Sequence, residues 1–136
     1  MNIRPIIHTV FAALILATAS LSLTHAETVQ KNFEEKVPNI PGKSLIAVEV
    51  EYAPGEASPA HTHAKSAFIY AYVVSGAIES KVDNGKTRIY RAGESWSEQP
   101  GATHAISRNA SKTEPAKLLA IFVLDTSDKA LTSPVK

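Results

Sequence analysis

An all-β fold, a small sandwich or barrel of short strands, is what this sequence predicts, and three observations carry the prediction. Apolar residues recur with a period of two through most of the chain, the period that sends alternate side chains to opposite faces of a strand. The breaks between apolar runs are Gly, Pro and Asn turn signals rather than helix caps. Asn84-Gly85 stands between two strand-like runs, the strongest short hairpin signal.

The elements follow in order. Residues 1–26 read as a secretory leader: Arg4 is the early positive charge, Ile6 to Leu23 is apolar or small, and Thr24-His25-Ala26 offers small residues at the cleavage positions. Cleavage is expected before Glu27, with no stable membrane anchor afterwards and a bacterial periplasmic or secreted location. Residues 27–44, with Pro38 and Pro41, read as an N-terminal arm. Residues 45–124 form the single domain. Leu45 to Tyr52 alternates, with Ile46, Val48, Val50 and Tyr52 on one face, and Pro54-Gly55 stops it. Phe68 to Val74 is a β-rich run ended by Ser75-Gly76. The hairpin runs from Ala77 to Asp83, turns at Asn84-Gly85, where both residues tolerate positive φ, and returns from Lys86 to Arg91. Ser95 to Glu98 is short and extended, Pro100-Gly101 turns the chain, and His104 to Arg108 follows. Lys117 to Leu124 reads as a strand covered on both faces, and residues 125–136 as a polar C-terminal tail.

Without the leader, 110 of the 136 residues remain, an ordinary single domain. Arg4 is one of 14 basic residues, so 13 remain against 13 acidic ones and the net charge is zero. No basic block or stripe supports nucleic-acid binding. The absence of cysteine excludes disulfides, thiolate ligands and thiol chemistry. Any metal site must use nitrogen and oxygen.

Every histidine beyond the leader sits in metal-ligand spacing: His61 and His63 form an H-x-H pair, and His104 follows a Pro-Gly turn. In a strand, residues i and i+2 share a face about 6.5–7 Å apart, so two such imidazoles can converge on one ion. They cannot complete its shell, and His104 is the only other imidazole left to help. Three neutral imidazoles suit one divalent first-row ion, of which Fe, Mn, Ni or Zn is expected, with positions left for water, oxygen or substrate.

These histidines and their glycines resemble the two motifs of the cupin superfamily. Gly55, His61, His63 and Gly76 match the first motif, and Gly93, Gly101 and His104 match the second, across Ile46 to Leu124. The resemblance implies a small jelly-roll β-barrel with the metal inside, homodimers built by sheet extension or arm exchange, and an oxygenase or dioxygenase acting on a small organic molecule. Two departures stand out. The family glutamate after the histidine pair is missing, its place falling at Ala67 or Phe68, and Gln99 replaces the second motif's proline, which is displaced to Pro100.

Glu98 is the substitute to test as fourth ligand or general base, since it should share a face with Trp96 and is the carboxylate nearest in sequence to His104. The competing reading is an exposed surface glutamate. Tyr70, Tyr72 and Trp96 are candidate pocket walls, with buried aromatic packing as their alternative role. Asn109 fits a strand-ending turn better than a ligand contact. A non-catalytic, metal-dependent module that binds or senses a small ligand is the competing function. A barrel without metal is disfavoured, because three inward histidines would then need other partners.

Overall fold

The computed structural model describes residues 27–135; the leader, its cleavage position and Lys136 lie outside the described residues. Ten strands form β1 (Thr28–Lys36), β2 (Lys43–Tyr52), β3 (His61–His63), β4 (Phe68–Ser75), β5 (Ala77–Val82), β6 (Arg88–Arg91), β7 (Ser95–Glu98), β8 (Thr103–Asn109), β9 (Ala116–Asp125) and β10 (Thr132–Pro134). No helix occurs among the described residues. Two antiparallel five-stranded sheets result, in the orders β1-β2-β9-β4-β7 and β10-β3-β8-β5-β6.

Period-two alternation builds the core. In β9 the even-numbered residues Leu118, Ala120, Phe122 and Leu124 are buried, and their odd neighbours are half-buried. The expectation that β9 is covered on both faces therefore holds fully for one face only. Ile78 of the second sheet packs with Tyr52, Ala71, Val73 and Leu118 of the first, closing one end of the interior. Ile46, Val48, Ile69, Phe122 and Leu124 fill the other. A fully buried side chain such as Ile69 or Leu124 contributes about 1.5–3 kcal/mol.

The two segments expected to lie outside the barrel both add strands. Residues 28–36 pair with β2 as an edge strand exposed along its whole length. Backbone pairing, rather than burial, is what the expected arm overlooked. Residues 132–134 of the expected tail pair with β3.

The hairpin turn also differs from expectation. Asp83 takes the positive φ, at 49°, whereas Asn84 and Gly85 do not. The end of β5 is committed to β8, with Val82 opposite His104, and Asp83 bonds Thr103 through both its backbone N–H and its side chain. The ladder to β6 accordingly stops at Ser80 opposite Arg88, leaving a loop too wide for a two-residue turn.

One irregularity positions the interior side chains. Lys81 faces Ile106, but Val82 faces His104, so β8 carries one extra residue, Ala105, in a bulge. With strict alternation His104 and Ser107 would point to opposite faces; across the bulge both are buried.

Candidate metal centre

Register assembles the histidines. His61 lies directly opposite His104 across the β3–β8 ladder, where side chains on one face stand about 4.5–5.5 Å apart at Cβ. His63 follows two residues on, on the same face. Ring centroids are 4.8 Å apart for His61 and His63, 5.3 Å for His61 and His104, and 5.9 Å for His63 and His104. One ligand nitrogen from each lies within 4.8 Å of the others, close enough for small side-chain rotations to bring them onto one ion.

The carboxylate arrives from the other sheet. Glu98 ends β7 opposite Ile69 and is only 2% exposed, so its surface reading is excluded. Its Oε2 is 2.9 Å from His63 Nε2 and its Oε1 is 3.4 Å from His104 Nδ1. Neither approach is aligned as a hydrogen bond, and both nitrogens of His63 and Oε2 of Glu98 are buried without a hydrogen-bond partner among the described residues. Such orphans are costly in a folded interior unless something else satisfies them.

Neighbours orient the remaining donors. The Pro59 carbonyl can only accept, so His61 Nδ1, at 2.8 Å, carries a proton, and in the neutral ring Nε2 keeps its lone pair. His104 Nε2 is 2.9 Å from Ser80 Oγ. Trp96 Nε1 donates to Glu98 Oε1 at 3.0 Å, holding the carboxylate.

Burial pushes the His104 pKa down to about 4; Glu98 opposes this, and the neighbouring His61 and His63 add to it. Burial alone would raise the Glu98 carboxyl, but its contact with His63 and the His104 and His63 charges outweigh burial and lower it. A neutral imidazole beside an ionised carboxylate is the protonation state metal binding needs. Three imidazoles, one carboxylate and orphaned buried donor atoms fit a divalent first-row ion.

The cluster opens into one cavity of about 340 Å³, at the small end of the range for small-molecule pockets. Its walls are mostly apolar, with Val48, Ile69, Ala71, Leu118 and Phe122 among them. Tyr70 and Tyr72, expected as pocket walls or buried packing, take neither role. They alternate with the buried Ile69, Ala71 and Val73, so they lie on the outer sheet face, and Tyr70 is 41% exposed. Trp96 does not line the cavity either: it stacks on Tyr90 at 4.5 Å and serves Glu98. Asn109 ends β8 as expected, donating to the Ala53 and Glu114 carbonyls and accepting from Ser111 N–H.

Sequence reasoning missed Ser80, Tyr52, Ser58 and Ser107. Tyr52 is 2% exposed and lines the cavity, with its Oη 2.6 Å from Ser58 Oγ and 2.8 Å from Ser107 Oγ. Alternation already turned Tyr52 inward, and a buried tyrosine hydroxyl needs a partner. Ser107 left no such signal, because the bulge sets its direction.

The family model for the cupin domain matches residues 48–122. Among solved structures, the chain is similar to an uncharacterized conserved protein with a double-stranded β-helix domain from Klebsiella pneumoniae. Identity is 20%, covering 81% of this chain and 87% of that one, with a TM-score of 0.63. It is also similar to the cupin domain of an XRE family transcriptional regulator from Enterobacter cloacae, at 21% identity over 72% of this chain and 96% of that one, TM-score 0.58. A recombinant oxalate oxidase in complex with glycolate is 26% identical over 74% of this chain, TM-score 0.56, and the chain spans 52% of that longer protein. No curated protein matches.

Proposed function

The chain belongs to the cupin domain family and has its jelly-roll architecture, and from that premise we propose an exported, mononuclear metal enzyme of the oxygenase or dioxygenase class acting on a small organic molecule. The observation that carries the metal is the orphaned pair His63 Nε2 and Glu98 Oε2, buried beside His61 and His104 at one end of the cavity. The likeness to an oxalate oxidase in complex with glycolate supports an enzyme acting on a small organic acid, while its name is that of an oxidase rather than an oxygenase.

In this reading His61, His63 and His104 hold the ion and Glu98 completes the set. A bound divalent ion would polarise a substrate oxygen or bring O₂ and substrate together. The ligand role for Glu98 is supported over the base by its position, with Trp96 donating to Oε1 and Oε2 facing His63. Apolar walls exclude water and strengthen every polar contact inside. Export rests on the leader, with Glu27 as the mature N-terminus; the homodimer rests on β1, an exposed edge strand available to a second copy.

Metal analysis of protein from the exported fraction, then oxygen-uptake screening against small phenols, diketones and sugar acids, tests the function. Oxygen uptake stoichiometric with substrate loss is the expected result. Tight ligand binding without turnover would replace the enzyme with a binding or sensing module. Intact mass starting at Glu27 and light scattering at twice the chain mass check export and assembly.

A further inference from the structure

The cavity has a second polar end that the metal reading does not use. Ser107, Tyr52, Ser58 and Glu27 all line it and are joined in one chain of hydrogen bonds. A hydroxyl has one proton to donate and a carboxylate none, so the direction of the chain is fixed from its Glu27 end. Ser58 donates to Glu27 Oε2, which spends its only proton. Tyr52 must therefore donate to Ser58 and Ser107 to Tyr52. All three protons are committed along the chain. Toward the cavity these oxygens offer only lone pairs, and Ser107 Oγ, which accepts from no donor among the described residues, is the most available.

Ser107 follows His104 by three residues on β8, so the two polar ends stand at most roughly 10 Å apart at strand rise. Val48, Ala71, Leu118 and Ala120 are among the apolar side chains of the same cavity.

We propose that Ser107, held by Tyr52, selects a ligand whose far end donates a hydrogen bond: a small oxygen-donor anion with an apolar body, bound to the metal at one end and carrying a hydroxyl or amine at the other. The inference rests on the metal-centre reading and names its ligand class. Hydroxybenzoates have this pattern, and the corresponding fluorobenzoates keep the shape while losing the donor. A site built to accept a hydrogen bond rejects an analogue without the donor, because its buried acceptor is left unpaired.

The test is calorimetric titration of protein shown by elemental analysis to be metal-loaded, using 3- and 4-hydroxybenzoate against 3- and 4-fluorobenzoate. At least tenfold tighter binding of a hydroxy compound than of its fluoro partner is expected, with the ratio falling to about one in Ser107→Ala at unchanged metal content. Equal affinities in the unmodified protein, no binding by any of the four, or a preference that survives Ser107→Ala overturns the proposal. The unmodified protein alone decides the first two outcomes, whatever the variant's folding. Failure to take up metal at all would instead sink the metal-centre reading.

Discussion

Glu98 and His63 stand on different sheets, yet Glu98 Oε2 and His63 Nε2 lie 2.9 Å apart with no hydrogen bond formed by either among the described residues. An ion held by both would tie the sheets together. Without metal, burial opposes the Glu98 charge, but the contact with His63 and the His104 and His63 charges still favour the ionised form, which therefore contributes stability above its ordinary pKa. The metal-free Glu98→Gln protein should melt lower than the metal-free parent near neutral pH. Its metal affinity should fall tenfold or more in a competition titration, the scale seen when a group supporting a metal is lost. Unchanged affinity would remove Glu98 from the centre.

His61→Ala, His63→Ala and His104→Ala should each abolish stoichiometric metal binding, measured by elemental analysis after dialysis. Ser80→Ala should leave the stoichiometry intact but weaken affinity by roughly tenfold, because Ser80 Oγ orients the His104 ring without itself binding metal. Metal retained in His104→Ala would break the site assignment.

Stability of the metal-free protein should depend on pH with a defined sign. The His104 pKa is about 4 in the folded state against 6.5 for the free side chain, so below 6.5 the unfolded chain takes up a proton that the folded one refuses. Stability is full above pH 6.5 and is lost as pH falls toward 4, by on the order of 3 kcal/mol. Glu98, with its lowered pKa, contributes stability that is present above its ordinary 4.5 and is lost as pH falls further. Melting curves from pH 7.5 to 4 should slope downward on acidification and be flatter in His104→Asn. A level profile in the parent would contradict the burial argument.

Trp96 is the only tryptophan, and its ring centroid lies 6.1 Å from that of His104. Titration with Ni(II) or Cu(II) should quench its emission and saturate at one ion per chain. Emission that ignores the metal in a protein shown to bind it would place the ion elsewhere.

Gly76→Ala should cost more than about 2 kcal/mol in denaturant unfolding. Gly76 has a φ of 70°, and an added Cβ would stand 2.5 Å from the Pro115 carbonyl oxygen and 2.9 Å from Ala116 Cα, all backbone that cannot swing away. A variant as stable as the parent would show that the β4–β5 turn relaxes freely.

Alternation in the sequence was enough to place Ile46, Val48 and Tyr52 on one inward face, and histidine spacing was enough to bring His61, His63 and His104 together. Glu98 was legible because β7 is regular and carries Trp96 and Glu98 on one face. The aromatic run from Phe68 to Tyr72 misled for a physical reason: hydrophobicity does not say which face of a strand meets the core, and the buried face here is Ile69, Ala71 and Val73. The N-terminal strand escaped notice because backbone hydrogen bonds, which leave no mark on composition, are what hold it. Ser107 depends on a bulge whose position is set by pairing with β5.

The ten-residue ladder between β2 and β9 carries a consequence for the order of folding. These neighbours in space are far apart in sequence, and every ligand residue lies in the stretch between them. Their pairing must overcome the entropy of closing that long loop, which makes such topologies slow to fold. β3 and β8, which bring the imidazoles together, are themselves distant in the chain, and Glu98 joins only once the two sheets meet. The centre is thus a late product of folding rather than its nucleus. Metal added during refolding should leave the folding rate nearly unchanged and act on the reverse step, slowing unfolding of the completed barrel.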